Sequence, residues 1–331
     1  MSVIVTGGLG FIGSHLSAKL ESLGEEVYII DSISDYYSTD LMRLRRKKLL
    51  SAIPKSHVHE INLCDKEALN SIVLKVKPRK VIHLAAQAGV RLPISKLHKY
   101  TESNLTGFSN VLQSVIDAGI PDFLYASSSS VYGNSTDLPY KESAKGLLPI
   151  SFYGATKLSN EILAHSAVIG TNTRARGMRF FTVYGPWGRP DMAYFRLAAS
   201  LLSDYQFQRF GDGLVKRDFT YVDDTIEGIT RLSKQLESVP SGNSDVVNLG
   251  GGNPHSLNDL ISEFEKISGK KVHITNEQSA LGDVNITVAD STLLKNLTGF
   301  TPKVSLADGA KYFYDWASST DIRPQISRWI G

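Results

Sequence analysis

The 331-residue sequence predicts an α/β fold, with a doubly wound parallel sheet and a smaller α/β lobe. Apolar strand-like runs alternate with amphipathic helix-like stretches over the first 181 residues, which is typical of a parallel sheet covered by helices on both faces. The chain also opens on a strand, a glycine-rich turn and a helix. Its polar motifs follow predicted strands, where the ligand sites of such sheets lie.

The alternating region contains six predicted strands and five predicted helices. The strands are Val3–Thr6, Val27–Ile30, Val58–Ile61, Val81–Leu84, Phe123–Ser127 and Arg176–Phe181, and the helices are Phe11–Leu23, Asp40–Leu50, Lys66–Lys75, Tyr100–Ala118 and Tyr153–Val168. After Phe181 the elements become shorter and turn signals cluster, which predicts a second lobe. We expect residues 1–181 and 213–249 to form the larger domain, and residues 182–212 and 250–331 the smaller one.

Composition excludes several classes of protein. A formal net charge of +3 gives no reason to expect a nucleic-acid partner, and no apolar run reaches the length of a membrane span. The single Cys64 rules out an internal disulfide, and we expect no metal site. Since the sequence starts directly on a strand, we expect a cytoplasmic protein without a signal peptide. The basic run 43–48 fits a solvated surface helix that packs through neighbouring leucines.

The first motif is a cluster of glycines after the first strand. Gly8, Gly10 and Gly13 match G-x-G-x-x-G, whereas Gly7, Gly10 and Gly13 match G-x-x-G-x-x-G. Tight turns use glycine for steric reasons alone, but here Asp31 also follows the second strand, where a carboxylate would bind the ribose of a dinucleotide. The pattern therefore predicts a Rossmann-type domain that prefers NAD to NADP.

The second motif is Tyr153 and Lys157, four residues apart on a predicted helix. A lysine on the same helix face favours the phenolate and lowers the pKa of the tyrosine, which makes Tyr153 a candidate base for a sugar or alcohol hydroxyl. Chance sharing of a helix face is the alternative. The third motif, 125–133, carries four serines directly after an apolar strand, where a hydroxyl can assist Tyr153; a serine-rich loop is the alternative.

Together these motifs resemble the extended short-chain dehydrogenase/reductase family, specifically its nucleotide-sugar epimerases and dehydratases. The resemblance covers nearly the whole chain and includes the stretches 83–91, 179–192 and 217–224. Asp35–Tyr36–Tyr37 followed by Arg43, and the run G-P-W-G-R-P-D-M, are most similar to UDP-glucuronate 4-epimerases. Two departures stand out: Ala280 replaces a common arginine, and Asn62 replaces the usual aspartate beside adenine.

The resemblance implies roles for individual residues. Ser128, Tyr153 and Lys157 would be catalytic. The implied NAD contacts are Gly7, Gly10, Phe11, Ile12, Gly13, Asp31, Asn62, Leu63, Leu84, Ala85, Ala86 and Gln87, together with Tyr153 and Lys157. The implied substrate contacts are Arg91, Ser128, Ser129, Ser130, Thr182, Arg189, Phe207, Gln208, Arg217 and Asp283. The larger domain would bind NAD and the smaller one the nucleotide sugar.

The implied reaction is reversible C4 epimerisation of UDP-glucuronate to UDP-galacturonate on tightly bound NAD. Dehydratases of the family carry an Asp–Glu pair and decarboxylases a Glu where this chain has Ser129 and Ser130. A 4-epimerase of a neutral UDP-sugar is the main alternative. The further alternatives are a decarboxylase, a 4,6-dehydratase or another net oxidoreductase, and a non-catalytic NAD-binding regulatory protein. The resemblance also implies a homodimer that packs through helices 100–118 and 153–168.

Overall fold

The secondary structure is known from a computed structural model that describes residues 1–33, 36–90, 92–278 and 284–330. Its strands are β1 (Ser2–Thr6), β2 (Glu26–Asp31), β3 (Val58–Glu60), β4 (Lys80–His83), β5 (Asp122–Ser128), β6 (Arg174–Phe180), β7 (Thr182–Tyr184), β8 (Phe207–Phe210), β9 (Lys216–Tyr221), β10 (Ser244–Leu249), β11 (Pro254–Ser256) and β12 (Ile274–Glu277). Its α-helices are α1 (Phe11–Ser22), α2 (Thr39–Leu49), α3 (Lys66–Val76), α4 (His98–Tyr100), α5 (Phe108–Asp117), α6 (Phe152–Val168), α7 (Ala193–Leu202), α8 (Val222–Lys234), α9 (Leu257–Ser268), α10 (Thr292–Thr298) and α11 (Leu306–Ser318). Short 3-10 turns lie at Lys55–His57, Ile94–Lys96, Ser129–Tyr132, Leu236–Ser238 and Arg323–Gln325.

Seven strands form one sheet in the order β10-β6-β5-β4-β1-β2-β3, and every pair is parallel. The predicted fold class is therefore confirmed. The strand order reverses between β1 and β4, where Thr6 is in register with His83. Loops that leave this reversal point diverge and open a crevice, which is where ligands of doubly wound sheets bind. The seventh strand, β10, was not predicted.

The sheet is buried on both faces because apolar side chains point both ways along its strands. In β1, Val3 and Val5 pack into one core with α1, α7 and α8, while Ile4 packs into a second core with α3 and α5. Burial on both faces explains why the strands appear in the sequence as continuous apolar runs.

The predicted helix 100–118 differs in its first half. Helix α4 leads into a π-helix, Thr101–Gly107, before α5 begins. This segment carries the buried Asn104, whose amide accepts from the Gln87 N–H (2.8 Å) and donates to the Thr156 hydroxyl (3.1 Å). Asn104 thus joins the loop after β4 to α6. Local helix widening of this kind is often found at functional sites, and nothing in the spacing of apolar residues reveals it.

In the described part of the chain, two small sheets accompany the seven-stranded sheet. Strand β9 pairs with β7 in parallel and with β11 antiparallel, while β8 pairs with β12. Strand β9 falls within residues 213–249, which we assigned to the larger domain, so this small sheet takes strands from both predicted ranges. The domain division stays a prediction. Within the described ranges, no helix has the length and apolar character needed to cross a membrane.

The interpretation of the basic run as a solvated helix is wrong for one residue. Arg45 is fully buried, and its guanidinium donates to the carbonyls of Trp187 (2.8 Å) and Gly188 (2.9 Å) and to the Tyr37 hydroxyl (2.8 Å). Trp187 has a φ of +61°, which is uncommon for a residue with a side chain. Arg45 therefore stabilises a strained turn that directly precedes Arg189.

Candidate active site

The glycine turn after β1 leaves no room for side chains. A Cβ on Gly7 would lie 2.6 Å from the Ala85 nitrogen, and one on Gly13 would lie 2.0 Å from the Gly7 carbonyl oxygen. The N-cap of α1 is Gly10, which provides no capping side chain. Free N–H groups at the start of α1 are therefore open to a ligand, as the pyrophosphate of a dinucleotide requires.

Asp31 lies at the end of β2, beside this turn. Its carboxylate accepts hydrogen bonds from the N–H groups of Leu9 and Ser32, both at 2.8 Å. Burial raises its pKa to about 6, although these hydrogen bonds oppose the shift. At neutral pH the carboxylate is ionised and suited to accept from ribose hydroxyls. The glycine turn and Asp31 thus fit an NAD molecule.

Helix α6 places Tyr153 and Lys157 on one face. It begins after Ser151, whose hydroxyl accepts from the Gly154 N–H (3.0 Å). Lys157 is 1% exposed, and its Nζ donates to the Ala126 carbonyl at 2.9 Å, 5.9 Å from the centre of the Tyr153 ring. The lysine therefore lies over the ring face, anchored to β5.

The pKa of Tyr153 is raised, whereas the sequence predicted that it would be lowered. Burial raises it, while the positive charge of Arg189 and a hydrogen bond with the Ser128 side chain oppose part of that rise. Burial also lowers the pKa of Lys157 to about 8. In the protein alone, desolvation therefore outweighs the effects of Arg189 and Ser128, and the lowering of the Tyr153 pKa that we expected from Lys157 is not found.

A buried ion pair supports the strand that carries Ser128. Arg179 on β6 donates to both carboxylate oxygens of Glu161 on α6, at 2.9 and 2.7 Å, and to the Tyr132 hydroxyl at 2.8 Å. Glu161 also accepts from the Ser127 hydroxyl at 2.5 Å. This network fixes α6, β5 and the serine turn relative to one another. The spacing of these residues in the sequence does not reveal it.

Arg189 already has a carboxylate partner in its own chain. Its Nε and Nη2 donate to the two oxygens of Asp191 at 3.1 and 2.5 Å, and the Tyr36 hydroxyl donates to Asp191 at 3.2 Å. Although burial opposes it, Arg189 holds the pKa of Asp191 below its usual range. Nη1 is the nitrogen that this pair leaves for another acceptor. The pairing with Asp191 was not expected from the sequence.

All the predicted site residues that the structure describes line one cavity of about 700 Å³. They are Gly7, Gly10, Phe11, Ile12, Gly13, Asp31, Asn62, Leu63, Leu84, Ala85, Ala86, Gln87, Ser128, Ser129, Ser130, Tyr153, Lys157, Thr182, Arg189, Phe207, Gln208 and Arg217. Arg91 and Asp283 lie outside the described residues, as do Asp35 and Ala280. The roles of all these residues stay predictions, because their common location does not test what each one binds.

The cavity lining also includes residues that were not predicted as site residues, among them Tyr36, Asp191, Tyr194 and Arg196. Tyr36 and Asp191 stood within motifs used for the resemblance, so a signal existed for them. The other two follow on α7, where they look like ordinary residues of an amphipathic helix. Among the described residues that line the cavity, the carboxylates are Asp31 and Asp191. The described ranges also contain no cluster of His, Cys, Asp and Glu side chains able to hold a metal ion.

Comparison with known proteins agrees with this geometry. Residues 3–250 match the profile of the NAD dependent epimerase/dehydratase family. The chain belongs to this family. Membership in the NAD dependent epimerase/dehydratase family makes NAD the cofactor, in agreement with the glycine turn and Asp31, so the predicted cofactor is confirmed.

Individual relatives are similar over nearly their full length. Protein CapI of Staphylococcus aureus is 38% identical, with 96% of this chain and 98% of the relative aligned. A probable UDP-glucuronate 4-epimerase of Rhizobium meliloti is 36% identical, with 96% of each chain aligned. The crystal structure of UDP-glucuronic acid 4-epimerase from Bacillus cereus, in complex with UDP-glucuronic acid and NAD, is 34% identical. It aligns with a TM-score of 0.84 over 96% of this chain and 98% of that one.

Proposed function

We propose that this NAD-dependent enzyme interconverts UDP-glucuronate and UDP-galacturonate by inverting C4 of the sugar. The observation that carries the proposal is the composition of the cavity wall around Tyr153. Hydroxyl side chains and Arg189 line it, and Asp31 and Asp191 are its only carboxylates among the described residues. The 4-epimerases of UDP-glucuronate among its relatives support the same substrate.

Tyr153 and Ser128 would move the proton of the C4 hydroxyl. Ser128 orients that hydroxyl, and Tyr153 accepts its proton as the C–H bond at C4 breaks. NAD⁺, when bound, accepts the hydride from C4 and later returns it. The 4-keto sugar then rotates in the cavity so that its opposite face receives the hydride. Tyr153 gives the proton back to the C4 oxygen, so no net oxidation results. Lys157, held on the Ala126 carbonyl, supplies positive charge beside the phenolate.

The carboxylate of the substrate must be restrained during this reaction. A 4-keto uronate is a β-keto acid, which loses carbon dioxide when its carboxylate stands perpendicular to the ketone. Hydroxyls of Ser129, Ser130 and Thr182 and Nη1 of Arg189 are donors that would hold the carboxylate away from that orientation. Elimination and decarboxylation also lack a carboxylate acid–base group at residues 129 and 130.

One observation favours a second candidate, a 4-epimerase of a neutral UDP-sugar. Because Asp191 already pairs with Arg189, a substrate without a carboxylate would not leave this partly buried guanidinium unpaired. Discrimination against UDP-glucose would then rest on the remaining hydroxyl contacts.

The test is to incubate the purified protein, without added NAD, with UDP-glucuronate, UDP-glucose and UDP-xylose in separate samples. Proton NMR of the sugar follows each reaction. We expect the C4 epimer from UDP-glucuronate at the highest rate, and NAD released from the denatured protein. Absence of UDP-galacturonate would refute the proposal, and faster epimerisation of UDP-glucose would establish the second candidate.

Two variants test the assigned roles. Tyr153→Phe should abolish turnover while the protein retains NAD. Arg189→Ala should reduce turnover of UDP-glucuronate far more than turnover of UDP-glucose. The same change at Arg46, a partly exposed arginine that pairs with Glu60 outside the cavity, serves as control. Unchanged uronate turnover in Arg189→Ala would show that this arginine does not hold the carboxylate.

We also propose a homodimer that packs through α6 and the helical segment 98–117. Apolar side chains of α6 that face outward support it: Phe152, Ile162 and Leu163 are 40%, 59% and 39% exposed. Sedimentation equilibrium measures the assembly directly, and a monomer at micromolar concentration would contradict it.

A further inference from the structure

Arg196 is a cavity residue whose Nε lacks a hydrogen-bond partner. Its Nε is buried and makes no hydrogen bond, although the residue lines the active-site cavity. A buried donor without an acceptor costs free energy, which a ligand in the cavity would recover. The side chain is therefore placed to bind an anion that enters the cavity.

Other buried arginines of the described chain differ from Arg196. The Nε atoms of Arg45, Arg176 and Arg179 each donate to a carbonyl or carboxylate oxygen at 2.8 or 2.9 Å. These three arginines have structural partners that hold the fold together. Arg196 has none at Nε, so a structural role does not account for its position.

Four cations line the described part of the cavity, and three of them make contacts within the protein. Lys157 donates to the Ala126 carbonyl, and Arg189 donates to Asp191. Arg217 donates through Nη1 to the Val284 carbonyl at 2.6 Å. Arg196 is the remaining cation, and its guanidinium is available to a bound anion.

The position of Arg196 in α7 indicates which anion it meets. Its backbone N–H donates to the Met192 carbonyl, so it lies one helical turn beyond the segment that carries Arg189. At its other end α7 leads to β8, whose Phe207 and Gln208 line the cavity. The family resemblance implies that this strand borders the uracil of the substrate. In a UDP-sugar, the diphosphate joins the sugar to the nucleoside.

We propose that Arg196 binds the diphosphate of the nucleotide-sugar substrate. A guanidinium presents Nε and Nη in one plane, which matches two oxygens of a phosphate and gives strong charge-assisted hydrogen bonds. The inference rests on the proposed function only in requiring a nucleoside diphosphate sugar; the identity of the sugar does not enter.

Calorimetric titration of the NAD-containing protein with UDP and with uridine tests the assignment. In Arg196→Gln we expect UDP affinity to fall about tenfold or more, because a charge-assisted contact is lost, and uridine affinity to stay within about twofold. Arg196→Lys should recover part of the affinity for UDP. Arg209→Gln is the matched control, since Arg209 lies on β8 and its guanidinium donates to Asn276 and Asn258.

Three results would overturn the assignment: unchanged UDP affinity in Arg196→Gln, an equal loss for UDP and uridine, or loss of copurified NAD. If Arg196→Gln does not fold, the folded Arg196→Lys decides, since a conserved charge with altered geometry should still bind UDP more weakly than wild type. Binding of UDP needs no turnover. If Arg196→Gln loses affinity for UDP but not for uridine, and the wild-type protein does not convert UDP-glucuronate, the proposed function is refuted while the role of Arg196 stands.

Discussion

We predict that the buried Lys157 destabilises the folded protein. It is 1% exposed, and burial lowers its pKa from 10.5 to about 8. A shift of this size corresponds to about 3 kcal/mol of unfavourable free energy when the ammonium is charged. Lys157→Met removes that cost together with a hydrogen bond to Ala126, worth about 1 kcal/mol. We therefore expect the variant to be about 2 kcal/mol more stable at pH 7, although turnover should be abolished.

The pH dependence of the difference gives the sharper test. Between about pH 8 and 10.5 the unfolded chain keeps a proton on Lys157 that the folded protein has lost, so wild-type stability rises with pH in this window. The advantage of Lys157→Met is therefore fully present below pH 8 and disappears by about pH 10.5.

Urea unfolding, followed by tryptophan fluorescence, measures the effect once NAD has been removed from both proteins. The exposed Lys234→Met is the control, and we expect it to change the free energy of unfolding by less than about 0.5 kcal/mol. A Lys157→Met protein that is less stable than wild type at pH 7, or whose advantage is the same at pH 10, would refute the reasoning.

Three other variants probe separate parts of the site. Asp31→Asn should weaken NAD binding about tenfold at neutral pH. The wild-type protein should lose affinity for NAD below about pH 6, where Asp31 becomes protonated, and the variant should not show this loss. Fluorescence titration with NAD across pH measures both effects, and a variant that behaves like the wild type would contradict the prediction. Glu161→Gln should lower the free energy of unfolding by about 3 kcal/mol, because Arg179 stays buried beside a neutral amide; a change below about 1 kcal/mol in chemical denaturation would count against it. Asp191→Asn should remove one of the two oxygens that accept from Arg189, together with the negative charge, and tighten binding of UDP-glucuronate about fivefold relative to UDP-glucose. A ratio of the two inhibition constants that is the same as in the wild type would contradict it.

Local patterns explain what could be predicted from the sequence. Six of the seven strands of the sheet were found because buried parallel strands are continuous apolar runs, and the glycine turn was found because its requirement is steric and local. Asp31 and Tyr153 followed from their offsets within these elements. Each of these signals lies within about 25 residues, so no knowledge of distant contacts was needed.

Residues whose environment depends on distant chain segments could not be predicted. Arg45 looked like one charge of a solvated run, because its partners are 142 and 143 positions away. The pairing of Asp191 with Arg189, only two positions away, depends on the conformation of the turn between them and was not predicted either. The same limit applies to the pKa of Tyr153, whose direction depends on how far water is excluded.

The hydrogen bonds from Arg45 to the carbonyls of Trp187 and Gly188 have a consequence for how substrate preference changes in this family. Arg45 does not line the described cavity, yet it fixes the turn from which Arg189 extends. Substitution of Arg45 would let that turn relax and redirect Arg189 without altering a single residue in contact with the sugar. A change in sugar preference can thus begin with a substitution in α2, which a comparison restricted to cavity residues would not include.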